Sequence, residues 1–94
     1  MDTNKTPIEL ACDRVGSQAN LARMVGVLPA AVFQWIKKTR PIPNDKCPAI
    51  EKACNAVVAC EDLLPDLNWI RIPDPSWPHP GGRPVLDFIV AEVI

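Results

Sequence analysis

The stretch from Gln18 to Lys37 constrains this chain most, because it sets small residues at the spacings that a sharply bent helix pair requires. Ala22 follows Gln18 by four residues, Gly26 follows Ala22 by four, and Val32 and Trp35 come next. Two helices that cross steeply need a small side chain where they touch, and Ala22 supplies it. The tight turn between them needs a positive backbone angle, which glycine adopts without steric cost, and Gly26 supplies that. Leu21, Val25, Val27, Val32 and Trp35 lock the pair together. The second helix of such a pair is held outward, able to enter a major groove.

Val32 and Ile36 mark the inner side of that second helix, leaving Pro29, Ala30, Phe33, Gln34 and Lys37 on the opposite face. An ordinary surface helix would carry several charges there. This one is small and partly apolar at its leading end, which suits a helix lying close against base edges. Gln34 can form paired hydrogen bonds to adenine, while Ala30 and Phe33 can contact thymine methyl groups. Phe33 has a second reading, folded back on the scaffold or covering a protein partner. Lys37, Lys38 and Arg40 follow at the trailing end, placed for phosphates. Gln18, at the start of the preceding helix, can reach a phosphate that the helix N-terminus also attracts.

The net charge of -1 says nothing for nucleic acid, but its distribution does. Residues 14 to 46 hold six cations against Asp45 alone, and the segments on either side are net acidic. A cationic face on an acidic body is expected. At 94 residues and 48% hydrophobic content the chain has the size and composition of one globular domain. It has no apolar run long enough to span a bilayer and no secretory leader at Met1, so a cytosolic location is expected. Cys12, Cys47, Cys54 and Cys60 lack the paired spacing of a structural zinc site and are expected to be reduced, small hydrophobes. No metal or cofactor is expected. His79 is the one histidine and lies in a proline-rich stretch. No glycine-rich phosphate loop or paired-carboxylate motif is evident, so no catalytic site is expected.

Local signals predict the remaining elements. Thr6-Pro7-Ile8-Glu9 reads as a capping box opening a first helix, with Ile8, Leu10, Ala11 and Val15 on its apolar side and Gly16 at its stop. Ser17 caps a second helix near residues 18 to 25. A third starts at Pro29 and runs to about Lys38, with Pro41 and Pro43 preventing its continuation. A fourth segment begins near Asn44, with a short turn or a break at Pro48, and ends at Asn55. Residues 60 to 64 make one or two helical turns, stopped by Pro65. Residues 73 to 84, dense in proline with Gly81-Gly82 among them, read as a linker or an ordered arm without regular structure. The β-branched residues from Val85 to Ile94 favour a closing strand, with a helix left open.

At the helix pair the sequence resembles the Cro-type regulators of temperate phages. Arg40-Pro41-Ile42-Pro43-Asn44-Asp45-Lys46-Cys47-Pro48-Ala49-Ile50-Glu51-Lys52-Ala53 resembles the YdaS family of prophage Cro-like proteins, once taken for antitoxins. Cys60-Glu61-Asp62-Leu63, Pro65-Asp66 and Trp69 extend the likeness, which covers about residues 8 to 70. The resemblance implies a compact all-helical domain that binds operator DNA, usually as a dimer, and represses transcription. Leu28 departs from it, standing where the family commonly has serine or a similar cap. Loss of such a cap costs about 1 kcal/mol, and Pro29 offsets this by fixing the first turn.

The expected fold is therefore all-α: a four- to five-helix Cro/repressor-like helix-turn-helix domain over residues 1 to 72, with a proline-rich extension over residues 73 to 94. The expected function is that of a sequence-specific DNA-binding regulator, with double-stranded DNA as partner and no membrane. The rival is an antitoxin-like module that holds a protein partner through its apolar tail. The tail from Val85 to Ile94 has three readings: dimerisation with a second copy, fold-back on the domain's own core near Trp69 and Ile72, or disorder.

Overall fold

The computed structural model describes residues 5–86. In chain order the elements are α1 (Pro7–Val15), α2 (Gln18–Val25), α3 (Pro29–Lys37), a 3-10 turn (Asn44–Lys46), α4 (Cys47–Ala53), α5 (Cys60–Leu63), β1 (Trp69–Ile72) and β2 (Arg83–Leu86). The helical domain is the expected one, with a small two-stranded sheet added.

The first two helices start where short polar side chains satisfy their free backbone donors. The Thr6 hydroxyl accepts from the Glu9 amide at 3.4 Å, and the Thr6 amide donates to Glu9 Oε1 at 2.9 Å. The Ser17 hydroxyl accepts from the Asn20 amide at 3.0 Å. On α1 the buried residues are Ile8, Ala11 and Cys12, with Val15 packed against them. Leu10, expected on that side, is 41% exposed. Two residues along a helix turn the chain by about 200°, so Leu10 cannot share a face with Ile8.

Gly26 ends α2 at φ 79°, and its amide donates to the Ala22 carbonyl at 2.9 Å. The third helix stops ahead of the prolines. Lys38 takes the left-handed conformation at φ 63° and closes α3 three residues before Pro41. Pro48 lies in the first turn of α4, where its missing N–H leaves no bond unmade. Leu21, Ala22, Val32, Trp35, Ile50 and Val58 fill the core. All four cysteines are free and buried within it. Burial pushes the Cys12 thiol up to about 11 and the Cys47 thiol up to about 12, with nearby carboxylates adding to both. The Cys60 thiol is raised for the same reason.

The proline-rich stretch is not a linker as far as Arg83. Strands β1 and β2 pair antiparallel in the register Trp69↔Leu86, Ile70↔Val85, Arg71↔Pro84 and Ile72↔Arg83. Residues 73–82 are the loop of this hairpin. Pro84 is accommodated because both strands of a two-stranded sheet are edges. The loop is ordered by its own bonds: the Asp74 carboxylate accepts from the Ser76 amide at 3.0 Å and the Ser76 hydroxyl at 2.6 Å. Gly82 closes it at φ 100°. Val85 and Leu86 thus fold back on Ile70 and Trp69, and the rest of the tail, residues 87–94, lies outside the described residues.

A buried acid fastens the hairpin to the helices. Glu51 on α4 is 0% exposed. Arg71 on β1 grips it with two bonds, Nη1 to Oε2 at 2.6 Å and Nη2 to Oε1 at 2.7 Å. Trp77 in the loop donates its indole N–H to Oε2 at 2.6 Å, and the Cys60 amide donates to Oε1 at 2.9 Å. Arg71 also reaches Glu61 at 2.5 Å and the Gly82 carbonyl at 2.9 Å. Burial alone would raise the Glu51 carboxyl, but bonds from Arg71, Trp77 and the Cys60 amide hold it below the usual carboxylate range.

Candidate nucleic-acid interface

The axes of α2 and α3 meet at a bend of 115°. Helix-turn-helix units join their helices at about 90–120°. Local sequence produces this bend. Ala22 is fully buried, and its small side chain lets α2 pack closely against its neighbours. The Val27 amide joins that of Gly26 on the Ala22 carbonyl at 2.9 Å, which turns the chain sharply. Val32 and Trp35 then anchor α3 to the core, and Ile36 packs beside them.

The outward face of α3 holds most of the residues singled out from sequence. Pro29, Ala30, Phe33, Lys37 and Lys38 are exposed, as is Arg40 just beyond. Leu28, before the helix, is 75% exposed, and it makes no side-chain cap bond. Phe33 is 50% exposed, so its ring is not folded into the core. Lys37 Nζ stands 5.6 Å from the centroid of that ring. Gln34 is half-buried along the side of α3. Its backbone carbonyl accepts from the Thr39 amide at 3.1 Å and the Arg40 amide at 3.5 Å, which curls the chain over the helix end. Lys37, Lys38 and Arg40 are thereby gathered at the C-terminus of α3, where cations also suit the helix dipole.

Gln18 is exposed in the first turn of α2, where it lines a shallow depression with Lys5, Glu9, Asp13 and Ile36. Two acids therefore border Gln18, whereas no Asp or Glu occurs from residue 14 to residue 44. Sequence reasoning counted Arg23 in the charge balance but gave it no place. It is exposed in the last turn of α2 and is tied to the Asn20 side chain. Its signal was the acid-free run itself. No single helix among the described residues is long and apolar enough to cross a membrane.

Known proteins resemble this chain in fold and in sequence. Among solved structures, the Cro protein of a proposed prophage element, Xfaso 1, in Xylella fastidiosa strain Ann-1 matches with a TM-score of 0.61 at 34% identity, over 65% of this chain and 92% of that one. YdaS of Escherichia coli (strain K12), a proposed transcriptional regulator, is 51% identical over 59 residues, or 63% of this chain. The match takes in 60% of that relative's length. A family model described as "Bacterial toxin YdaS" matches residues 8–72. That span contains the bent helix pair, the buried Glu51 and the whole of β1, well over half of the sequence, and the chain belongs to the YdaS family.

Proposed function

We propose that the chain is a sequence-specific transcriptional repressor of the Cro type that binds double-stranded operator DNA through α3. The observation that carries this reading is the 115° helix pair, which presents an acid-free outer face of α3. In this reading α3 lies in the major groove. Leu28, Pro29, Ala30 and Phe33 approach base edges, and Gln34 pairs with an adenine. Lys37, Lys38 and Arg40 hold phosphates, and Gln18 touches the backbone from α2. The names carried by the two relatives, Cro protein and transcriptional regulator, support the same reading. One such unit covers few base pairs, so two copies bind half-sites about one DNA turn apart. A cytoplasmic location accompanies that partner.

Gln34→Ala is expected to weaken specific binding by about 1–3 kcal/mol, the discrimination given by a good bidentate base contact, and to leave nonspecific binding nearly unchanged. Titration of operator and scrambled duplexes side by side decides the matter. Equal losses on both would move Gln34 out of the base-reading role.

Replacing Lys37, Lys38 or Arg40 singly should weaken all duplexes alike and flatten the salt dependence by about 0.9 of a log unit per log unit of salt. The measurement is the affinity of each variant across a salt series. Unchanged slopes in all three would place these side chains away from DNA.

A further inference from the structure

The leading end of α3 is poor in polar groups where a helix N-terminus usually offers them. Pro29 has no N–H, Leu28 provides no side-chain cap, and the Ala31 amide is occupied by the Leu28 carbonyl at 2.9 Å. A phosphate finds little to bind there. What the end does offer is apolar surface, with Leu28, Ala30 and Phe33 exposed in one short stretch. The ammonium of Lys37 lies over the Phe33 ring and so supports the ring's place on the outer side of the helix. Lys38 and Arg40 lie beyond it. A strip that is apolar at one end, cationic at the other and without acids complements a surface both anionic and studded with methyl groups. The major-groove edge of thymine-rich duplex DNA is such a surface, because each thymine displays its C5 methyl there.

We propose that Leu28, Ala30 and Phe33 form a methyl-reading strip that directs this chain to half-sites carrying thymines under the leading end of α3. The proposal rests on the DNA-binding reading above and adds the class of base pair that is read. Leu28 acquires a purpose in this account: it places a branched apolar side chain where a capping serine would place a hydroxyl.

Thymine and uracil present the same hydrogen-bonding edge and differ in that methyl group, so uracil substitution isolates the contact. The probe is a duplex selected from a random-sequence pool by the intact chain, then resynthesised with deoxyuridine at each half-site thymine in turn. Affinities are measured by fluorescence anisotropy for the parent, Phe33→Ala and Leu28→Ser, the last chosen because serine caps the helix and preserves the fold. The parent should lose about fourfold in affinity for each contacted methyl removed, the effect of one buried carbon. In the variants the thymine-to-uracil ratio should fall toward one. A parent that binds both duplexes equally would overturn the proposal and leave the DNA-binding reading standing. An unchanged ratio in the variants would overturn it too, and would return Phe33 to covering a protein partner. Failure to enrich any duplex would strike the DNA-binding reading itself.

Discussion

Alanine at Glu51 is expected to lower the unfolding free energy by about 3–5 kcal/mol, the cost of breaking a buried ion pair from one side. A small domain has only about 5–15 kcal/mol in total, so this substitution should bring it close to unfolding. Arg71 and the Trp77 indole would each lose a partner, and so would the Cys60 amide. Urea titration followed by circular dichroism measures the effect. Replacing both members by apolar residues, as in Glu51→Leu with Arg71→Met, should cost less than Glu51→Ala alone, because no charge is then left buried. The parent should also weaken in acid. A carboxyl held below its ordinary value of 4.5 contributes stability that is present above that pH and lost as pH falls through the folded-state value. Glu51→Ala should show a flatter decline between neutral pH and acid. Were its midpoint to match the parent's, the fastening of hairpin to helices would rest on other contacts.

Gly82→Ala should be nearly as damaging. A β-carbon at this position would stand 1.9 Å from the Ile72 carbonyl oxygen and 2.6 Å from its carbon, so the backbone itself would have to move. The left-handed backbone adds about 1–2 kcal/mol for any residue with a side chain. Displacing the Gly82 carbonyl also strips a charge-assisted bond from Arg71, for a combined loss of about 3–5 kcal/mol. The hairpin should open first, because its strands carry the strain while α1 to α4 keep their own core. Tryptophan fluorescence from Trp69 and Trp77 would then change at lower urea than the helical dichroism signal. Coincident and unshifted transitions would show that the turn relaxes without cost.

The helices were legible because their signals are local. Thr6 with Glu9, Ser17, Gly26 and Pro48 each act within a turn of their own position, and each does what its chemistry dictates. The hairpin was not legible, because its strands lie ten residues apart and the intervening prolines have the composition of a linker. Nothing near Trp69–Ile72 announces that its partner begins at Arg83 rather than Val85. The same holds for Glu51, which meets Arg71 across twenty residues and Trp77 across twenty-six. At the candidate interface, periodicity alone separated Val32 and Trp35 from the outer face. It could not choose between two directions for the Phe33 ring, which depends on how tightly the core closes beneath it.

The buried thiols make the core its own recorder of opening. Burial pushes the Cys12, Cys47 and Cys60 thiols up, away from the reactive thiolate, and all four thiols are shielded from solvent as well. An alkylating reagent therefore reacts only with molecules that have momentarily opened, and its rate scales with the population of that open state. The four sites are well distributed for this purpose: Cys12 on α1, Cys47 on α4, Cys54 at its end and Cys60 on α5. If the domain opens as one cooperative unit, labelling at all four will report one common opening free energy. If α1 peels away on its own, Cys12 will be modified ahead of the other three, and a single mass spectrum taken part-way through the reaction will show the order in which this fold comes apart.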